Sequence, residues 1–257
     1  MKPIKEIYKY RELLVELVKR DIKIKYRRSI LGILWSVLNP LLFMAVMTIV
    51  FSTIFKSNIE NFPIYFLCGQ IIFAFFSEST SIAQTAVLGN SSLIKKVYIP
   101  KYIFPIAKVC SSLVNAGFSL IAILIMMIFL QYVPPVTVLL FIVPIFYTFI
   151  YSIGISLLLS SLAVFFRDTI HLYSLFLMVL SYFSAVFYPV DIIPEQFQIF
   201  IRFNPIYVFI DYFRQIIQQG IIPSLEMNIL CIAHSVVAIT IGYCVFKKNE
   251  NKFILYI

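Results

Sequence analysis

The sequence predicts an all-α integral membrane protein with six transmembrane helices. An N-terminal amphipathic interface helix precedes them, and an outward-facing re-entrant or interfacial helical hairpin lies between spans five and six. Three observations carry this. Hydrophobic residues make up 61% of the 257-residue chain and charged residues 13%, against roughly half and a quarter in soluble domains. Uncharged stretches recur at about the 20 residues needed to cross a bilayer. Finally, 18 of the 21 Lys and Arg residues fall in segments that six crossings place on one side, as the positive-inside rule expects of a cytoplasmic face.

The first 28 residues form the interface helix. Tyr10, Leu13, Leu14, Leu17, Val18 and Ile22 recur at helical spacing, and Lys19, Arg20, Lys23, Lys25, Arg27 and Arg28 crowd its end. Glu12, Glu16 and Asp21 are mixed in, with Glu16 four residues before Arg20 in the stabilising order. Such mixed charge suits a protein contact better than simple attraction to anionic lipid. A cleaved signal peptide does not fit, because its charged region is a few residues and not a whole helix.

The remainder, residues 29–257, is the membrane domain. Residues 29–55 carry no charge and form span one; 61–94, interrupted only by Glu78, hold span two. The uncharged run 109–166 is too long for one crossing and is split by Pro134 and Pro135 into spans three and four. Residues 169–190 are span five and 227–246 span six. Between these, residues 206–222 are apolar but broken by Asp211, Arg214 and three glutamines, which fits a hairpin over 191–224 punctuated by Pro205 and Pro223. Residues 1–28 hold 10 basic residues, 89–108 hold 4, Arg167 is 1 and the tail from Lys247 holds 3, so both termini are expected in the cytoplasm.

The chemistry of the chain is that of a conduit or scaffold. The seven glycines build no phosphate-cradling loop, no paired carboxylates or nucleophile–base grouping stands at a water-accessible position, and His171 and His234 are single. No catalytic residue and no metal site is expected. The four cysteines lie apart in apolar segments and read as buried small hydrophobes. The net charge of +9 follows the membrane topology and does not point to nucleic acid.

Four stretches are distinctive: LVKRDIKIKYRRSILGILWSVLNPLL (residues 17–42), NSSLIKKVYIPKYIFP (90–105), FRDTIHL (166–172) and FNPIYVFIDYFRQII (203–217). Through them the chain resembles the membrane-spanning subunit of ABC-2-type exporters of lipid-linked polysaccharide, the O-antigen and teichoic-acid permease family. Phe73–Phe76 departs from the tryptophan that relatives often place there.

The resemblance implies a homodimer in the bacterial inner membrane, bound to two copies of a cytoplasmic ATPase that holds ATP and Mg, with no cofactor in this chain. It implies a lipid-linked, undecaprenyl-type substrate. Wall teichoic acid is the alternative cargo, a drug- or lipid-exporting permease a third reading, and a membrane scaffold or lipid-modifying enzyme a reading from another class. In the family the 90–105 loop holds a coupling helix, so Leu93, Ile94, Lys95, Lys96, Val97, Tyr98 and Ile99, with Arg167 and Asp168, are the expected ATPase contacts. A plain positive-inside anchor is the blander reading, but it would not need Val97 and Tyr98. Lys23, Tyr26, Arg27 and Arg28 stand where an interface helix lines the cytoplasmic entrance and could meet the lipid pyrophosphate, unless they merely touch headgroups. Asn204, Pro205, Asp211 and Arg214 form the expected outer gate.

Glu78 is the acid well inside a predicted span. Unpaired, it would cost at least ~2.5–3.5 kcal/mol, so it is expected to face protein or water. Ser77 and Ser81, with Gln70 and Gln84, fall on a neighbouring face and Tyr147 and Tyr151 share another. A channel-lining role and ordinary interhelical packing are open for all of these.

Overall fold

The computed structural model describes residues 8–27, 29–51 and 59–256. Those residues form an α-helical bundle. Helix α1 (Arg11–Tyr26) turns at Ser29 and Gly32 into α2 (Trp35–Ile49). The turn needs glycine at position 32, whose φ is +50°, and the Ser29 Oγ accepts from the Gly32 N–H at 3.0 Å. Then come α3 (Phe62–Gln84), the short α4 (Ala86–Gly89) and α5 (Ser91–Lys96), α6 (Ile103–Phe129) and α7 (Ile142–Phe165). The chain closes with α8 (Thr169–Phe183), α9 (Glu195–Arg202), α10 (Pro205–Arg214) and α11 (Leu225–Asn249).

Among the described residues, five segments are long and apolar enough to cross a membrane: Gly32–Ile49, Phe62–Gln84, Ile103–Phe129, Val136–Phe165 and Leu225–Asn249. The fifth expected span is shorter than its uncharged run suggested. Helix α8 has 15 residues, about 22 Å at 1.5 Å per residue, against a hydrocarbon core of about 30 Å. It ends before Ala185, whose φ of +48° breaks the helix, and the chain runs on past Gly69 at Val186 to Tyr65 at Tyr188. The second run also ends early, at Gln84, where α3 gives way to the two short helices.

The core is organised around α3, whose Phe66, Leu67, Cys68 and Ile72 are buried between α6, α7 and α10. Helices α7 and α11 pack along their whole length, and they meet backbone to backbone. A Cβ on Gly242 would lie 2.0 Å from the Gly154 carbonyl oxygen, and one on Gly154 would lie 2.3 Å from Ala238. Small residues replace the hydrophobic effect here, since lipid is as apolar as a side chain and only close van der Waals contact holds helices together. Cys68 and Cys231 are buried as expected, whereas Cys110 is half-buried and Cys244 is exposed on α11.

Candidate functional site

Helix α1 packs its apolar row, Leu13, Leu17 and Val18, against the bundle. The next residues on that row, Asp21 and Lys25, are polar and reach α6 and α3, and Arg20 beside them reaches the turn between α4 and α5. Asp21 pairs with Lys108 of α6 at 2.8 Å and with Arg20 at 3.2 Å, and Arg20 donates to Asn90 Oδ1 at 3.3 Å. One turn later, Lys25 Nζ lies 2.9 Å from Glu78 Oε1 on α3. The same oxygen accepts from Asn115 Nδ2 of α6 at 2.7 Å and from Ser112 Oγ at 3.5 Å.

Tyr26 completes the joint. Its hydroxyl donates to Asn115 Oδ1 at 3.0 Å and is hydrogen-bonded to Ser36 Oγ of α2. Pro40, inside α2, has no N–H and so leaves the Ser36 carbonyl without its helical donor. Ser119 Oγ of α6 donates to that carbonyl at 3.0 Å. Proline thus creates an acceptor inside the apolar bundle, and a serine from the neighbouring helix satisfies it.

Two clefts flank this joint. One, of about 620 Å³, runs between α2, α3 and α6 and is walled by Tyr26, Ser36, Asn39, Phe43, Gln70, Ala74, Glu78, Asn115 and Ser119. The other, of about 560 Å³, is lined by Arg20, Asp21, Lys25, Glu78, Asn90, Lys108 and Ser112. Residues 70, 74 and 78 of α3 are four apart and therefore share a face. That face forms the wall; Ser77 instead donates to the Ala74 carbonyl at 3.2 Å and Ser81 is exposed elsewhere, neither lining these clefts. Tyr147 and Tyr151 lie away from the clefts. Tyr147 and Tyr212 both donate to Asn228 Oδ1, at 3.0 and 2.9 Å, and Tyr151 packs on Phe76 and Phe209.

Of the residues expected at the entrance, Tyr26 is in the joint, Lys23 and Arg27 are exposed, and Arg28 lies outside the described residues. Lys25, which sequence reasoning passed over, makes the ion pair. Its signal was available: Leu13, Leu17, Asp21 and Lys25 form one i, i+4 row, whereas Lys23 and Arg27 project from other faces. Asn115, an amide inside a long uncharged run, was likewise a readable sign of a polar partner.

The 90–105 loop contains the short helix α5, with Ile94 turned into the core and Leu93 and Ile99 packed partly against it. Lys95, Lys96, Val97 and Tyr98 are exposed, Tyr98 at 96%. Arg167 and Asp168 are exposed after α7. The C-terminal turn Phe253–Leu255 ties these two loops together, a connection that the sequence did not show. Buried Phe253 packs on Phe165 at the end of α7, with 5.8 Å between ring centroids, and beneath Lys101, whose Nζ is 5.8 Å from the ring. Lys101 also donates to the Glu250 carbonyl at 2.5 Å. Burial lowers the Lys101 ammonium pKa from its ordinary value, and Glu250 pulls the other way.

At the other end, Asn204 caps α10, its Oδ1 accepting from the Ile206 N–H at 3.0 Å, while its amide donates to Phe183 O and Ser184 Oγ, both at 3.0 Å. Pro205 occupies the first helical turn, where its missing N–H is not needed. Asp211 accepts from Gln215 at 3.0 Å. Arg214 is 4% exposed and is met by carbonyls, with donation to Ala185 O at 3.0 Å, Val186 O at 2.9 Å and Tyr65 O at 3.4 Å. Its guanidinium lies 3.5 Å from the Tyr65 ring centroid. Gly69 makes room for it, since a Cβ there would stand 2.7 Å from Nη2. The structure thus brings Asn204 and Arg214 onto the same four residues, 183–186, where α8 ends.

A bundle with five helices long and apolar enough to cross a membrane, and polar side chains set into an open groove between three of its helices, describes a multi-span membrane protein. The chain matches the ABC-2 type transporter family over residues 12–217 and belongs to it. It is similar to the O-antigen export system permease protein RfbA of Myxococcus xanthus, with 29% identity over 252 residues, 97% of each chain. It is also similar to a protein of the same name from Klebsiella pneumoniae, 29% over 244 residues, 94% of this chain and 93% of the relative. The polysialic acid transport protein KpsM of Escherichia coli is 22% identical over 236 residues, 90% of this chain and 91% of the relative. The protein is a multi-pass membrane permease of an ABC transporter family.

Proposed function

We propose that this chain is the channel-forming subunit of an ATP-driven exporter that moves lipid-linked cell-surface polysaccharide, such as O-antigen, across the bacterial inner membrane. The observation that carries this is the cleft between α2, α3 and α6: an open groove whose largely apolar wall carries polar side chains from Tyr26 and Glu78 to Gln70, about 12 Å further along α3. Full-length similarity to permeases named for O-antigen and polysialic acid supports the cargo class.

In this reading α8 and the segment after it, which runs on to Tyr188, complete a sixth crossing, both termini are cytoplasmic, and α9 and α10 form the outer hairpin. Two copies assemble side by side, so that each contributes one cleft to a shared conduit; α2, with only 6% of its apolar window buried, needs such a partner or lipid along its flank. Two copies of a separate ATPase hold ATP and Mg and dock on α1, on the loop presenting Tyr98, and on Arg167 and Asp168. The substrate's undecaprenyl-type pyrophosphate approaches the basic end of α1.

The test is to purify the chain with its natural ATPase, reconstitute the complex, and measure ATP hydrolysis against defined lipid-linked glycans. Stimulation and vectorial movement of an O-antigen-type glycan are expected. Recovery without any nucleotide-binding partner, or indifference to every lipid-linked glycan, would overturn the reading.

A further inference from the structure

The two clefts are not independent. Lys25, Glu78 and Asn115 border both of them. On one side of this bridge lie Asp21, Asn90 and Lys108; on the other lie Ser36, Asn39 and Gln70. The bridge is therefore a partition between a charged vestibule and a groove that continues into the membrane domain.

We infer that the Lys25–Glu78 ion pair is the inner gate of the groove, opened by displacement of α1. This rests on the export reading for its purpose but not for its test. The distribution of bonds is what makes the pair a latch. Lys25 belongs to α1, whereas the other two partners of Glu78 Oε1, Asn115 and Ser112, belong to α6. When α1 moves, the carboxylate loses one bond and keeps two, so opening leaves no stranded acid within the membrane domain. Both side chains are partly exposed, 42% for Lys25 and 31% for Glu78, so the lost ammonium finds water at once. An ion pair in that setting is weak enough to open and close repeatedly, on the order of 0–1 kcal/mol.

The geometry also names what moves α1. Its inner row is fixed by Leu17 and Asp21, while Glu12, Glu16, Lys19 and Lys23 are exposed on its outer side. A protein seated on that outer face would draw Lys25 from Glu78 by shifting α1, a helix of 16 residues, and would part Asp21 from Lys108 and Tyr26 from Asn115 in the same movement.

The experiment reads the gate directly. Gln70 lines the groove beyond the partition and is absent from the vestibule. Gln70→Cys is introduced into the full chain, and inside-out vesicles from the cells that make it are treated with a membrane-impermeant thiol reagent. Labelling is assigned to position 70 by fragmenting its peptide, which also carries the native Cys68, a fully buried thiol that serves as the internal unlabelled reference. Slow labelling is expected in the parent. Glu78→Gln and Lys25→Met each raise the rate about three- to fivefold, the factor corresponding to loss of about 0.7–1 kcal/mol. The exchanged pair Lys25→Glu with Glu78→Lys returns it towards the parent rate. Equal labelling in all four backgrounds overturns the gate, as does a fall in thermal stability with no change in labelling. If labelling responds as expected while glycan export is absent, the gate stands and the cargo reading falls.

Discussion

Replacing Arg214 by methionine removes the device that holds the outer hairpin to α3 and to the end of α8. Two well-formed bonds from a charged donor, at 3.0 and 2.9 Å, are lost; each is worth roughly 1.5–3 kcal/mol. The ring contact with Tyr65 at 3.5 Å adds about 0.5–2 kcal/mol. Against this stands relief of the desolvation suffered by a buried guanidinium, several kcal/mol by itself. Methionine fills much of the volume but leaves the Ala185 and Val186 carbonyls unpaired, at about 1–3 kcal/mol each, so the net loss is expected at about 2–5 kcal/mol. At roughly 2–4 °C per kcal/mol for a chain of this size, the apparent melting temperature in detergent should fall by about 4–20 °C, measured for all variants at one scan rate so that any irreversible step affects them alike. Arg214→Lys should fall about as far, since an ammonium reaches one carbonyl and not two and does not stack on the ring. Gly69→Ala should move the same way, because its methyl group would stand 2.7 Å from Nη2. A melting temperature for Arg214→Met within the error of the parent would refute the argument that these two carbonyl bonds and the ring contact fix the hairpin.

Gly242→Val should abolish monodisperse expression, because even its first carbon would lie 2.0 Å from the Gly154 oxygen and overpacking costs about 1–3 kcal/mol or more; a normal gel-filtration profile would contradict the close crossing of α7 and α11. Tyr98→Asp should leave the melting temperature unchanged, since the side chain is 96% exposed, while ATP-driven export in cells falls; unimpaired export would count against ATPase docking there. Phe253→Ala should raise the rate of proteolysis within residues 97–100, because the ring braces both Lys101 and Phe165; an unchanged cleavage rate would show that the tail does not brace the loop.

The positions of most candidate crossings were legible because a bilayer imposes a local rule: each apolar stretch of sufficient length must close its own backbone hydrogen bonds. Pro134, Pro135 and Pro205 stand between helices or at a helix start, whereas Pro40 is carried inside α2, where Ser119 satisfies the carbonyl it frees. The helical row through Leu13, Leu17, Asp21 and Lys25 was equally local and open to reading. So was the requirement that Glu78 find a partner. What the sequence could not decide was which of six clustered cations that partner would be, that α8 would stop after 15 residues, or that the Ala185 carbonyl would be held by an arginine 29 positions further on. Ser77 and Ser81 matched a polar stripe by spacing, yet the face that borders the clefts runs through Gln70 and Glu78.

By itself, then, the sequence determined that this is a multi-span helical membrane protein with a basic face and no visible nucleotide cradle, since charge, hydropathy and proline act over one helix at a time. Only the tertiary structure decided that α1, α3 and α6 converge on one carboxylate oxygen, and that two clefts meet there. Those pairings depend on crossing angles and rotations between helices far apart in the chain, which are set by backbone approach at glycines and by buried polar bonds that no single segment encodes.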